Sequence, residues 1–162
     1  MTKTILIPTD FSIESLNLFK HAAQEYQNES INVVFFHSIY TPFSITDLLF
    51  FSKRELIREL STPDFHDACE IIAKKFESKI HSRRIEIFTG QNQQAFEQFL
   101  EANQVSEILI PKEYSFKLTD KRSVDPSAFI RKSKVPVKEV HWPQASGAPE
   151  KNMLAELFLQ SN

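Results

Sequence analysis

The sequence predicts an α/β domain built on a single open parallel sheet with helices on both faces. Three observations predict it. Short β-branched and aromatic runs alternate with amphipathic stretches along most of the 162 residues. The first run, Ile5–Ile7, stops at Pro8 and passes through Thr9, Asp10 and Ser12 into a helix. The second run, Ile31–Ile39 (INVVFFHSI), is β-branched and aromatic from Val33 to Phe36, as a strand buried on both faces should be.

The elements follow in order. Leu16, Phe19, Ala23 and Tyr26 recur at helical spacing and predict a helix over Ile13–Gln27, broken by Asn28–Ser30. Thr41-Pro42 ends the second strand. Ser44–Leu60 is rich in leucine and phenylalanine and is expected to contain a short helix. Ser61-Thr62-Pro63-Asp64 then stops and restarts the chain. Phe65, Ala68, Cys69, Ile72, Ala73, Phe76 and Ile80 form one apolar stripe, predicting a helix over Asp64–His81. Ile85, Ile87 and Thr89 alternate in a third strand, Arg84–Thr89, closed by Gly90. Ala95, Phe96, Phe99 and Leu100 mark a helix within Asn92–Asn103, and Glu107–Pro111 (EILIP) is the fourth strand. Tyr114–Val124 is expected to be irregular and polar. Asp125-Pro126 offers a helix start, with the helix running to about Lys132 and a fifth strand at Val135–Val140. The α/β domain is thus assigned to residues 1–140. Residues 141–162 are expected to be a linker, HWPQASGAPE, followed by a helical appendage bearing Met153, Leu154, Leu157 and Phe158.

Composition narrows function by exclusion. Net charge is −2, which makes no general case for nucleic acid or membrane surfaces. The longest apolar cluster, Leu48–Phe51, falls far short of the ~20 residues of a membrane span. A single cysteine, Cys69, excludes an intrachain disulfide and suits a reducing cytoplasm, the expected location. Only 2 glycines leave few places where backbone can approach a phosphate closely, while 15 phenylalanines imply a bulky core or an apolar surface needing a partner. The same shortage excludes a G-x-G-x-x-G dinucleotide loop.

With the β-α units in place, the chain resembles the universal stress protein family. The resemblance rests on ILIPTDFS at Ile5–Ser12, Lys20-His21-Ala22, FFHSI at Phe35–Ile39 and Lys134-Val135-Pro136-Val137. It covers roughly residues 3–140. It implies a five-stranded sheet in the order 3-2-1-4-5 and commonly a dimer through the last strand. It also implies one of two kinds of protein, one binding ATP through a G-x2-G-x9-G-[ST] loop after the fourth strand and one lacking that loop. In PKEYSFKLTDKRSVDPS, Pro111, Tyr114 and Ser123 or Val124 stand where the family has glycines. Proline removes an N–H donor and tyrosine crowds the approach to any phosphate.

Candidate residues are weighed accordingly. Asp10 matches the acid lining the family's nucleotide pocket, but Asp at a strand-to-helix turn also serves simply to start the helix. Thr9, Ser38 and Lys112 complete a possible ligand set. Lys112–Lys138 holds eight basic residues against three acids, a local +5 within a chain of net −2, which could hold an anion or solvate a face. His66 and Cys69 lie three apart, but Cys69 falls on the apolar stripe, so no metal site is expected. His37 lacks a serine elbow or paired acid, so no catalytic role is expected. The expectation is a non-enzymatic, cofactor-free, stress-response scaffold acting with an unidentified protein partner. It is expected to be a homodimer through Val135, Val137, Lys138, Glu139 and Val140 and to bind neither ATP nor nucleic acid. The alternative is a sensor of a nucleotide or other phosphate ligand, using Asp10 and the basic loop Lys112–Lys134.

Overall fold

The computed structural model describes residues 2–26, 29–40 and 52–142. Five parallel strands form the sheet: β1 (Lys3–Pro8), β2 (Ile31–Ile39), β3 (Ile80–Phe88), β4 (Glu107–Pro111) and β6 (Val137–Val140). Their order is β3-β2-β1-β4-β6, the expected 3-2-1-4-5 arrangement. A sixth, two-residue strand, β5 (Ser123–Val124), pairs antiparallel with the end of β2, opposite Ser38 and Ile39.

The helices are α1 (Asn17–Glu25), α2 (Lys53–Leu60), α3 (Pro63–Lys75), α4 (Gln93–Ala102) and α5 (Ser127–Arg131). Side chains alternate across the sheet, so each strand feeds two cores. On one face Ile5, Ile7, Val33, Phe35 and Leu109 pack with Phe19 of α1 and with Phe65 and Ile72 of α3. On the other, Leu6, Val34, Phe36, Phe88 and Ile108 pack with Phe96 and Leu100 of α4 and Ile130 of α5. The described phenylalanines are spent here: Phe96 packs against Phe36, Phe88 and Phe129 with ring centroids 5.3–5.8 Å apart. Tyr40, Ile71 and Val137 are the large apolar side chains left exposed among the described residues.

Local signals fix most helix starts. Ser52 caps α2 by accepting from Glu55 N–H, Thr62 caps α3 with Pro63 behind it, and Asn92 caps α4. Asp125 turns the chain ahead of α5 by accepting from the N–H of Ser127 at 2.9 Å, but Pro126, which has no side-chain cap bond, holds the cap position expected of Asp125. Gly90 is required by space: a Cβ there would lie 2.6 Å from the Phe88 ring and 2.7 Å from the Ala95 Cβ.

Five expectations are corrected. The helix drawn to His81 ends at Lys75, and Ile80 is already a strand residue opposite Ile31. Strand β3 therefore begins at Ile80, four residues before the expected start. The last strand begins at Val137; Val135 lies ahead of it, its N–H held by Ser133 Oγ at 3.1 Å. The segment expected to be irregular and polar contributes a buried tyrosine and a strand. Trp142, placed in the linker from sequence, is buried in the first core. Residues 41–51 of the aromatic-rich stretch, and the appendage beyond residue 142, lie outside the described residues.

Candidate functional site

An open α/β sheet offers its ligand crevice at the carboxyl ends of the strands, where strand order reverses. Here that point lies between β1 and β4, and the turn Thr9–Ser12 forms its floor. Phe11 takes φ 62°, an uncommon conformation for a bulky side chain. Its ring lies 5.0 Å from that of His37 and 5.3 Å from that of Phe65, so core packing holds the turn. Thr9 is buried; its Oγ1 accepts from Phe11 N–H at 3.0 Å and lies 3.1 Å from Ser15 Oγ.

Asp10 sits at the rim with both carboxylate oxygens engaged. Oδ1 accepts from the Ser12 N–H at 3.0 Å and the Ser12 hydroxyl at 2.6 Å. Oδ2 accepts from the Tyr114 hydroxyl and from the Lys117 N–H at 2.8 Å. The Tyr114 hydroxyl also lies 3.0 Å from Ser12 Oγ. Burial, then the charge of Asp10, pushes the Tyr114 phenol far above its usual 10.0, so it remains a donor. The Tyr114 ring is 5.6 Å from that of Trp142 and 5.9 Å from that of Phe116. Chain leaving β4 thus folds back across the crevice as a strap, with an aromatic plug at its centre.

The far end of the strap is fastened to β2. Tyr40 N–H donates to the Arg122 carbonyl at 2.7 Å, and Ser38, 2% exposed, pairs beside Val124. His37 Nδ1 is 2.7 Å from the Thr9 carbonyl and Nε2 is 2.7 Å from Ser123 Oγ. A carbonyl can only accept, so Nδ1 carries the proton and Nε2 accepts from the serine. Burial lowers the His37 pKa and keeps the ring neutral. Two basic residues of the strap are likewise committed. Arg122 spans Asp120 at 3.0 Å and Glu59 of α2 at 3.2 Å, and Lys117 reaches Glu14 at 3.6 Å. Lys112 is exposed, its N–H donating to the Val140 carbonyl at 2.8 Å.

The structure therefore gathers Thr9, Asp10 and Ser38 under one strap and leaves the Lys112 side chain outside. Sequence reasoning missed Tyr114 as partner of Asp10, Ser123 as partner of His37, and Trp142 as part of the plug. The sequence marks Tyr114 as an obstruction to a phosphate, but its bond to Asp10 spans 104 residues and has no local signal. On β6, Val137, Lys138 and Glu139 are exposed at the outer edge of the sheet, while Val140 is buried in the chain's own core. The Lys138 ammonium is ion-paired with Glu25 of α1.

The fold and its strapped crevice define an open α/β protein of ligand-binding topology. The universal stress protein family model matches residues 1–113, and the chain belongs to that family. No curated protein matches it. Among solved structures it is similar to hypothetical protein PH0823, at 19% identity and TM-score 0.53, covering 89% of this chain and 98% of that one. Hypothetical protein MJ0577, from a structure-based assignment of biochemical function, matches at 24% identity and TM-score 0.53, covering 88% and 98%. Universal stress protein UspA from Lactobacillus plantarum matches at 14% identity and TM-score 0.52, covering 85% and 97%. At these identities the likeness is one of fold. Among the described residues no helix is long and apolar enough to cross a membrane.

Proposed function

We propose that this universal stress protein is a non-catalytic, dimeric interaction module of the cytoplasm whose nucleotide crevice is closed by its own chain. The observation that supports this reading is the capture of Asp10. Four donors of the same chain occupy its two oxygens, and Tyr114 fills the space above it. A nucleotide would have to displace a buried aromatic plug and leave those donors unpaired, at a cost of about 1–3 kcal/mol for each one left buried. The loop that would compensate has Pro111 and Tyr114 where bare backbone N–H groups are needed. The open outer edge of β6 supports a second copy as partner, since pairing satisfies exposed strand groups.

Thermal unfolding with and without millimolar Mg-ATP tests the proposal. Ligand at about 100 times its dissociation constant adds roughly 2.7 kcal/mol. For a chain of this size that is a rise of roughly 5–10 °C in Tm. No shift is expected. A shift of that size would instead favour the reading of a phosphate-ligand sensor using Asp10 and the strap's lysines.

A further inference from the structure

We propose that the cavity between α2, α3 and β3 binds a small amphipathic carboxylate: an apolar body carrying one anionic head. The cavity lies on the β3 side of β2, away from the strapped crevice between β1 and β4, and is a cleft of about 400 Å³ that opens to solvent. Clefts that hold small molecules begin at roughly 300 Å³. Phe35, Ile57, Cys69 and Ile85 form its apolar lining. Such a surface gains by exchanging water for hydrocarbon.

Its charged lining is unequal in sign. Lys53, Arg54, Arg83 and Arg84 border the space, together with the single acid Glu70. Glu70 is taken by Arg83. Glu86 accepts from Lys53 at 3.0 Å and lies 3.4 Å from Arg84, whose guanidinium also donates to Asn103 at the end of α4 at 2.8 Å. With Arg84 held by Glu86 and Asn103, the surplus of positive charge rests on Arg54, which is exposed with no ion pair among the described residues, beside Lys53 and Arg83. That surplus suits one carboxylate, paired in bidentate fashion by a guanidinium, with the apolar body inside. A triphosphate would meet Glu70 and Glu86 with more negative charge than the free cations balance.

The test is a titration of the full chain with decanoate below its micelle concentration, followed by amide shifts in ¹⁵N spectra. Saturable shifts are expected at Ile57, Cys69 and Ile85. Arg54→Glu, a change at an exposed position, is expected to weaken binding about tenfold or more. Decyltrimethylammonium, with the same apolar body and opposite head, is expected to bind about tenfold more weakly or worse. Decanoate is also expected to slow alkylation of Cys69, the only cysteine in the chain. Non-saturating shifts, equal affinity in the Arg54→Glu chain, equal affinity for the cation, or the same shifts from inorganic phosphate would each overturn the assignment. Unchanged Cys69 alkylation at saturating decanoate would do so as well. Shifts from ATP at Asp10 and Tyr114 would count against the closed crevice and leave this cavity's test untouched.

Discussion

Asp10 shows how one residue type can serve opposite ends. A carboxylate at the end of β1 could receive a ligand's donors, yet here the chain supplies its own. Tyr114→Phe keeps the ring and removes the donor to Asp10 Oδ2. Hydrogen bonds to charged groups contribute about 1.5–3 kcal/mol, so a loss of that order is expected in urea unfolding. A loss below about 0.5 kcal/mol would show that the plug holds by packing alone. His37 gives a pH dependence with a definite sign. Burial depresses its folded-state pKa below the ordinary 6.5, so in acid the unfolded chain binds the extra proton. His37 therefore contributes full stability above about pH 6.5, lost progressively as pH falls through the depressed folded value. The urea midpoint is expected to fall from pH 8 to pH 5, and more steeply than in His37→Gln. Because burial also lowers the His21 pKa, the comparison between the two chains is what isolates His37. Parallel profiles would refute the assignment.

At the scale of elements, the end of α4 stands out. Gln104 takes φ 55° and donates to the Glu101 carbonyl at 3.0 Å, while Val105 N–H donates to the Leu100 carbonyl at 3.0 Å. This is the paired-bond helix ending that glycine normally supplies. Gln104→Gly relieves the left-handed strain and is expected to stabilise the protein by about 0.5–1 kcal/mol after glycine's extra chain entropy. Destabilisation would mean that the glutamine side chain makes a compensating contact. The same scale shows what was legible in sequence. Thr62-Pro63 and Asn92 announced their helices because a cap is a local hydrogen bond, whereas the expected Asp125 cap is displaced by one residue, with Pro126 at the cap of α5. The end of α3 was not legible: Phe76 and Ile80 continue the helical spacing of Ile72, but Ile80 is apolar because it pairs beside Ile31. No glycine or proline marks the change, so only pairing with β2 decides it. Strand β5 was hidden for a similar reason, since two residues cannot show a period.

For the whole molecule, the open β6 edge is the feature to test. Lys138 is already engaged by Glu25, so Val137, an exposed apolar residue of that strand, is the cleaner probe. If β6 forms the dimer, Val137→Glu is expected to halve the sedimenting mass at micromolar concentration. An unchanged dimer mass would place the interface elsewhere, and a monomeric parent chain would remove it from the proposal. The Mg-ATP experiment also belongs to this scale, because opening the crevice must displace the strap, Trp142 and the Ser123–His37 contact together.

The sequence by itself determined the alternation of strands and helices, the two-faced burial of β2, and the absence of glycines from the segment after β4. Each is a property of neighbouring residues and survives without a fold. Tertiary structure alone decided that Tyr114 would close on Asp10, that Ser123 would meet His37, and that a cavity would open beside β3. Those outcomes join groups up to 104 residues apart, and chain spacing carries no record of which distant donor will find a given acceptor.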